Sequence, residues 1–248
     1  MKLTPDVYLV GGGIFNGFGL SGNADSHVYA IDGGDEIALI DCGMGTGDSI
    51  DRILANMKGD RLDCSKIKYI FLTHYHIDHC GGLAEWQERM PIKAFIGADA
   101  VSTISNGSDD RNGLALAKKE GIYPSDYLYR AAVIEQGLIA GNTFKIGSLS
   151  LSFIPTPGHC DGHSSYLLKG QRDYFFTGDC LFAGGKIALS NTADCSIEKY
   201  RATILAMAQL EFDALLPGHG SLVLSGGKEH LQIAIDAFQS LTLPRSFL

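Results

Sequence analysis

The sequence predicts an α/β protein built as an αββα four-layer sandwich, with two sheets face to face and helices outside. Short apolar strands alternate with amphipathic helices along the chain. Each half of the chain runs from strands into strand–helix units, which suggests one sheet from each half. No Ser/Pro-rich or charged linker interrupts the 248 residues, so we expect a single domain over residues 1–248.

The first half carries four predicted strands and two helices. The strands are His27–Ile31, Ile37–Ile40, Lys68–Leu72 and a short one at Phe95–Ile96. Asp48 is placed to cap a helix whose apolar residues recur at helical spacing, namely Ile50, Ile53, Leu54 and Met57. A second helix is expected after Gly82, with Leu83 and Trp86 on its apolar side.

The middle of the chain, about residues 97–142, differs from both halves. It carries little strand pattern and two predicted helices, near Leu114–Lys119 and Asp126–Ile139. We therefore expect a helical insertion or lid, which could form a wall of a substrate site.

The second half returns to strands and ends with helices. The predicted strands are Thr143–Ile146, Leu149–Ile154, Ser165–Leu168, Tyr174–Thr177 and Ala214–Leu216. Ser196 is expected to cap a helix that carries Ile197, Tyr200, Ile204 and Met207 on one side. A last helix is predicted at Lys228–Phe238.

A glycine-rich stretch, Gly17–Gly22, matches the G-x-G-x-x-G pattern of dinucleotide-binding proteins. In such proteins the glycines open a helix, whereas here they lead into a predicted strand. We interpret the stretch as a mobile loop within residues 11–22, on which Phe15, Phe18 and Leu20 could cover a nearby pocket.

Three histidines and an aspartate crowd into FLTHYHIDHCGG, residues 71–82. His74 and His76 lie two residues apart at a strand end, so both would point to one face. Asp78 and His79 follow where the chain turns, and they can reach a different point. Imidazole and carboxylate suit zinc, manganese and iron, so the spacing suggests two adjacent metal ions.

Further candidate ligands follow other predicted strands. His159, Asp179 and His219 each stand just beyond an apolar strand and directly after a glycine. Side chains in such places are presented at the edge of a sheet. This recurrence predicts that the three join the histidine-rich segment in one site.

The pattern HYHIDH resembles the H-x-H-x-D-H signature of the metallo-β-lactamase superfamily, and Asp41, His159, Asp179 and His219 complete its five motifs in order. The resemblance implies the αββα fold, with one metal on His74, His76 and His159. It implies a second metal on Asp78, His79 and His219, with Asp179 bridging the two. Asp41 is similar to the family's structural aspartate, which is not a ligand. A bridging aspartate is typical of glyoxalase II-like thioesterases, lactonases and phosphodiesterases rather than of true β-lactamases.

Two divalent cations, with zinc favoured and iron or manganese as alternatives, could share one water and lower its pKa. The expected reaction is attack by a metal-bridging hydroxide on a small ester, lactone or thioester. Asp78 would be both ligand and catalytic proton shuttle. The stretch TGDCLFAGG resembles the glyoxalase II-like pattern, while lactonases have a tyrosine near the metals, for which Tyr123, Tyr127 and Tyr129 are candidates.

Other functions stay open at the level of sequence. One alternative is a mononuclear iron enzyme similar to the persulfide dioxygenases of the superfamily, and another is a phosphodiesterase. A binding or sensor protein on the same scaffold is the third.

The remaining histidines and cysteines are expected to be structural. His27, His163 and His230 lie outside the ligand pattern. Cys80, Cys160 and Cys180 each directly follow a candidate ligand, but neighbours in an extended chain point apart, so we interpret them as packing residues.

The net charge of −8 argues against a nucleic-acid or anionic-membrane partner, and we expect a small-molecule substrate. No apolar run is long enough to span a membrane, and the N-terminus does not resemble a signal peptide. With six scattered cysteines, the chain is expected to be cytoplasmic, and a homodimer is compatible with it.

Overall fold

The computed structural model describes residues 1–14, 17–107, 111–121 and 123–248. Within them lie eleven strands: β1 Val7–Gly11, β2 Val28–Asp32, β3 Ile37–Ile40, β4 Ile67–Phe71, β5 Lys93–Gly97, β6 Gln136–Leu138, β7 Thr143–Ile146, β8 Leu149–Pro155, β9 Ser164–Lys169, β10 Tyr174–Gly178 and β11 Ala214–Pro217. The α-helices there are α1 Ser49–Gly59, α2 Ile77–Cys80, α3 Leu83–Arg89, α4 Val101–Asn106, α5 Leu114–Lys119, α6 Ile197–Ala206 and α7 Gly227–Gln239.

The strands form two mixed sheets, one from each half of the chain. The first sheet has the order β1-β2-β3-β4-β5-β6, and its last four strands are parallel. The second has the order β11-β10-β9-β8-β7, in which only β10 and β11 are parallel neighbours. Because β8 and β10 both run antiparallel to β9, β8, β10 and β11 point the same way.

Side chains that point alternately to the two faces of the strands build the four layers. In β1, Val7 and Leu9 belong to the core between the two sheets, whereas Tyr8 and Val10 belong to the core under α1 and α3. A third apolar core lies between the second sheet and the helices α6 and α7. The predicted αββα sandwich is confirmed.

The predicted helix at Asp126–Ile139 is wrong. Burial there alternates with a period of two: Tyr127 and Tyr129 are half-buried, while Leu128 is exposed. The chain therefore runs extended and ends in β6, whose Gly137 lies so close to Ala98 that an added Cβ would come within 2.9 Å of its Cα. The insertion instead carries α4, which was not predicted, and α5 where it was expected.

The helix starts agree in part with the capping predictions. Ser196 accepts a hydrogen bond from the backbone N–H of Lys199 and caps α6 as expected. Asp48 stands before α1 but makes no capping hydrogen bond through its side chain. The glycine-rich stretch leads into β2 and not into a helix, which disfavours the dinucleotide interpretation.

Two turns at one end of the sandwich touch backbone to backbone. Gly33 lies in the turn between β2 and β3, and Gly147 lies in the hairpin between β7 and β8. A Cβ on Gly147, whose φ is +58°, would fall 1.9 Å from the carbonyl oxygen of Gly33. The two sheets are therefore in close contact at the end opposite the carboxyl ends of β4 and β8.

Candidate metal centre

The carboxyl ends of β4, β8, β10 and β11 meet at one edge of the sandwich. The histidine-rich segment follows β4, and the loops after β8, β10 and β11 contribute the three later candidates, His159, Asp179 and His219. Each group of ligand atoms therefore combines side chains from both sheets.

No helix in the described residues is long and apolar enough to cross a bilayer.

The first cluster consists of three imidazoles. His76 Nδ1 lies 3.0 Å from His74 Nε2 and 2.9 Å from His159 Nε2. Two nitrogens bound to one zinc ion at about 2.0–2.1 Å would lie about 3 Å apart. The three nitrogens thus have the spacing of a shared cation.

The second cluster joins a carboxylate to two imidazoles. Asp78 Oδ2 lies 3.0 Å from His219 Nε2 and 3.4 Å from His79 Nε2. All three side chains have candidate ligand atoms within 4.8 Å of one another. The sequence prediction of a second set, distinct from the first, agrees with this arrangement.

Asp179 lies between the clusters and faces each with a different oxygen. Its Oδ1 is 3.5 Å from His79 Nε2 and 3.7 Å from His219 Nε2, whereas its Oδ2 is 3.6 Å from His159 Nε2. One carboxylate can therefore contact cations in both clusters at once.

Two buried candidate ligand atoms lack a hydrogen-bond partner among the described residues, and their positions fit a bound cation. His79 Nε2 and Asp179 Oδ1 are fully buried, yet neither has a hydrogen-bond partner in the described part of the chain. Buried polar atoms normally have a hydrogen-bond partner, so the lack of one here indicates that these two atoms contact a bound ligand. A metal ion between them would satisfy both.

The protonation states also suit metal binding. Burial and the adjacent imidazoles lower the pKa of His74 well below its ordinary value, and they lower the pKa of His76 to about 3. Burial would raise the pKa of Asp78 and Asp179, but nearby imidazoles outweigh it and lower both. At neutral pH His74 and His76 thus offer neutral imidazole lone pairs, and both carboxylates are ionised. Burial would lower the pKa of His79 and His219, but the same carboxylates outweigh it and raise both, so a cation at the second cluster would take the place of protons there.

Asp41 fixes the orientation of His79. Its Oδ2 accepts a hydrogen bond from His79 Nδ1 at 2.8 Å, and its Oδ1 accepts one from the backbone N–H of Thr73 at 2.7 Å. Because a carboxylate can only accept, Nδ1 carries the proton, and Nε2 faces the cluster. Asp41 touches no other candidate ligand atom here, which agrees with the structural role that the resemblance implied.

We expect Asp41→Asn to weaken metal binding at the second cluster by about 10–100-fold, since an amide cannot accept from both His79 and Thr73. Binding at the three-histidine cluster should change much less. Stepwise metal titration of the apoprotein measures the two affinities. Asp32→Asn is the matched control, because that carboxylate accepts from Gly34 N–H at the far end of the sandwich. Equal weakening at both clusters would contradict the assigned role.

The other histidines hydrogen-bond to the backbone and do not belong to the groups of candidate ligand atoms in the described residues. His163 accepts a hydrogen bond at Nε2 from the backbone N–H of Asp179 and so helps to place that carboxylate. His27 hydrogen-bonds the carbonyl of Pro217 two residues before His219. His230, on α7, accepts from Gly184 N–H and lies apart from the clusters.

The cysteines beside the ligands pack into the cores. Cys80 and Cys160 belong to the core under the first sheet, and Cys180 to the core over the second. Burial raises the pKa of all three thiols, which disfavours the thiolate that a metal would require. The packing interpretation agrees with these positions.

Of the three candidate tyrosines, only Tyr123 reaches a candidate ligand. Its hydroxyl donates to Asp78 Oδ1 at 2.9 Å, whereas the hydroxyl of Tyr127 donates to the Met44 carbonyl and that of Tyr129 lies near Cys80. Tyr123 also lines the cavity above the metal centre. The insertion therefore places one of its three candidate tyrosines, Tyr123, beside the candidate metal centre.

Sequence reasoning missed Asp25, a buried carboxylate under the glycine-rich loop. It accepts hydrogen bonds from the Ser21 and Ser49 hydroxyls at 2.5 and 2.6 Å, and from the Gly22 and Met44 N–H groups at 2.8 Å. These contacts join the loop to the start of α1. The one available signal was an acidic residue inside a stretch of small, mostly polar residues just before a predicted strand.

The cavity above the clusters is lined by residues from both segments that were expected to be substrate walls, the glycine-rich loop and the insertion. Ile14 comes from the glycine-rich loop, and Gly121 and Tyr123 come from the insertion. Phe18 and Leu20 are not among the described lining residues, and Phe15 lies outside the described residues. The closing residues Phe247 and Leu248, which had no sequence signal, also line the cavity.

Residues 22–219 match the sequence model of the metallo-beta-lactamase superfamily, and this span includes every candidate ligand. The chain belongs to the metallo-beta-lactamase superfamily. The resemblance seen in the sequence is thereby confirmed. Members of this superfamily are metal-dependent, and the clusters found here are able to bind metal.

Curated relatives within the superfamily include two named hydrolases. The chain is 25% identical over 237 residues to an atrochrysone carboxyl ACP thioesterase of Aspergillus fumigatus, covering 96% of this chain and 62% of the relative. It is 32% identical over 120 residues to a hydroxyacylglutathione hydrolase of Buchnera aphidicola, covering 48% and 36%. The chain thus spans less than two thirds of the length of either relative.

Solved structures of the superfamily share the fold. A metallo-β-lactamase of Cronobacter sakazakii with a HARLDQ motif superposes with a TM-score of 0.73. The match covers 97% of this chain and 96% of that chain at 17% sequence identity. At this identity the similarity shows the fold alone.

Proposed function

We propose that this superfamily member is a dinuclear metal hydrolase that acts on a small ester, lactone or thioester. The observation that carries the proposal is Asp179, whose two oxygens face two separate clusters of ligand atoms. Relatives named as thioesterases and as a hydroxyacylglutathione hydrolase support the ester and thioester classes. The proposed setting is the cytoplasm, with a small-molecule substrate and neither nucleic acid nor membrane as partner.

The proposed ligands of one ion are His74, His76 and His159, and those of the other are Asp78, His79 and His219. Asp179 would bridge them, and zinc is the favoured metal for this donor set. When bound, two such ions activate a water at neutral pH and polarise the substrate carbonyl.

The chain itself orients the reacting groups. Asp78 presents Oδ2 to the second cluster while Tyr123 holds Oδ1, so the carboxylate stays at one angle. The backbone N–H and the hydroxyl of Ser26 both donate to the backbone carbonyl of Asp78. These two hydrogen bonds hold the turn that carries Asp78. These contacts support the proposal that Asp78 passes a proton to the leaving group.

The complete second cluster favours two ions over the mononuclear iron alternative. A persulfide dioxygenase of the superfamily would bind one iron through two histidines and one aspartate. It would leave the second cluster of ligand atoms unused. For the phosphodiesterase alternative, the described residues that line the cavity include no lysine or arginine to hold a phosphate.

Metal quantification combined with a substrate panel tests the proposal. We expect two ions per chain and turnover of at least one lactone, ester or thioester, with none on β-lactams. One iron per chain with oxygen uptake on a persulfide would replace the hydrolase by the dioxygenase. Two bound ions without turnover on the whole panel would instead indicate a binding or sensor protein.

Replacing Tyr123 with Phe should lower kcat by about 10–100-fold and leave the metal content unchanged. The substitution removes the hydroxyl that holds Asp78 but keeps the ring in the wall. Steady-state kinetics and metal analysis measure the two effects. Tyr127→Phe is the matched control, because the Tyr127 hydroxyl donates its hydrogen bond to the Met44 carbonyl and not to a candidate ligand. Loss of a metal ion from the Tyr123 variant would show that the residue acts on metal binding.

A further inference from the structure

The cavity above the candidate metal centre has a polar floor and a largely apolar wall. It measures 530 Å³, which lies within the range of about 300–1,000 Å³ typical of small-ligand pockets. The floor consists of candidate ligands: His76, Asp78, His159, Asp179 and His219. The wall carries Ile14, Ala24, Tyr123, Phe247 and Leu248. A substrate held here would place its reacting carbon over polar atoms and its remainder against hydrocarbon.

The backbone around Phe247 is pinned to the loop after β10. The Phe247 N–H donates to the carbonyl of Ile187 at 2.8 Å, and the Ile187 N–H donates to the carbonyl of Arg245 at 3.0 Å. Ser246 and Ile187 thereby form a parallel β-bridge. The segment is held in register with the loop that follows the candidate bridging aspartate.

The ring of Phe247 is packed against both neighbouring ligand loops. It stacks on Phe182 with centroids 4.1 Å apart and planes 6° apart. On the other side it covers Gly220, the residue after His219, where an added Cβ would lie 2.9 Å from the ring. The His219 ring centroid is 6.4 Å away. Phe247 therefore holds a defined place beside the second cluster rather than a chance position on the surface.

The opposite part of the wall is also held in place. The Ile14 N–H donates to the carbonyl of Asn23, and both residues line the cavity. The Ser21–Gly22 turn before Asn23 is fixed by the buried carboxylate of Asp25. The side chain of Ile14 is 68% exposed and has apolar surface left to bury. The two sides of the wall thus form a built apolar slot.

We infer that this slot is an acyl-chain subsite, and that Phe247 determines the preferred chain length of an uncharged ester or thioester. The inference rests on the proposed hydrolase function and names its substrate class. A methylene buried against this wall would raise kcat/KM by about fourfold. An anionic group would find no lysine or arginine among the described lining residues.

The test is a series of p-nitrophenyl esters from acetate to decanoate, with the zinc-loaded full chain. We expect wild-type kcat/KM to rise with chain length up to a medium-chain optimum. In Phe247→Ala the kcat/KM for p-nitrophenyl octanoate, divided by that for p-nitrophenyl acetate, should fall about tenfold. This fall corresponds to the lost contacts of about two methylenes. Phe247→Leu keeps an apolar wall and should retain most of the ratio.

Leu243→Ala is the matched control, because this side chain is 53% exposed in the same closing segment and does not line the cavity. Its ratio should equal that of the wild type. Zinc content and circular dichroism confirm that each variant is loaded and folded. An unchanged ratio in the folded Phe247→Ala variant, or a wild type without chain-length preference, would overturn the inference and leave the hydrolase proposal intact.

If no p-nitrophenyl ester is hydrolysed, the lactone and thioester panel still decides the proposed function, and calorimetric binding of octanoate and acetate to the zinc-loaded protein decides the subsite separately. Tighter binding of octanoate than of acetate by the wild type, lost in Phe247→Ala and largely kept in Phe247→Leu, would support the slot. Equal binding of the two acids by the wild type would overturn it.

Discussion

An Asp179→Asn variant is expected to lose turnover, with kcat/KM reduced by about 1,000-fold or more. The carboxylate of Asp179, the proposed bridge, faces both clusters, and an amide would present one oxygen and one N–H group to them. The N–H group would repel one cation, and a metal contributes several kcal/mol to the reaction, where about 1.4 kcal/mol is tenfold. Metal analysis should show weaker binding of both ions.

Asp161→Asn makes the same chemical change two residues after His159, in a carboxylate that pairs with Lys199 at the surface. Loss of such an exposed pair has little effect, so rate and metal content should stay near wild type. Wild-type metal content in the Asp179 variant would show that the residue does not bridge, whatever the rate.

Replacing Gly147 with Ala should destabilise the fold by about 2–6 kcal/mol. The residue has a positive φ, which costs an ordinary side chain about 1–3 kcal/mol, and its Cβ would meet the Gly33 carbonyl oxygen at 1.9 Å. Relieving that overlap must separate the two turns, at a further cost of about 1–3 kcal/mol. Denaturant unfolding measures the change in the free energy of unfolding.

Gly34→Ala isolates the backbone contribution, because φ there is +90° and a Cβ would have no atom within 4 Å. We expect it to destabilise by only about 1–2 kcal/mol. Both turns lie far from the clusters, so the folded fraction of the Gly147 variant should bind metal normally. Equal destabilisation by the two substitutions would show that the contact between the turns contributes nothing.

The sequence predicted that the candidate ligands share one site because they follow one simple rule. Each lies in the segment after a strand, where the direction of the strand decides which edge of the sandwich the segment reaches. His159 and His219 could thus be placed together although 60 residues separate them. Phe247 follows no strand of the two sheets and is held by the bridge between Ser246 and Ile187 and by stacking on Phe182, so its position beside the cavity could be seen only in the structure.

The segment at Asp126–Ile139 shows where the fold prediction failed. Its composition, with Leu128, Ala131 and Ala132, fits a helix as well as a strand. The outcome was decided by tertiary contacts, since the Glu135 N–H reaches the carbonyl of Ala94 and begins the pairing of β6 with β5. Short strands at a sheet edge depend on a partner that the local sequence does not specify.

The division of the candidate ligands between the two sheets has a thermodynamic consequence. His74 and His76 follow a strand of the first sheet, and His159 follows a strand of the second, so an ion held by all three ties the layers together. Ligation and sheet–sheet packing are then linked equilibria, and saturation at 100 times the dissociation constant adds about 2.7 kcal/mol to the stability of the folded state. Chelation would loosen the sandwich at this edge, while the paired glycine turns keep it closed at the other.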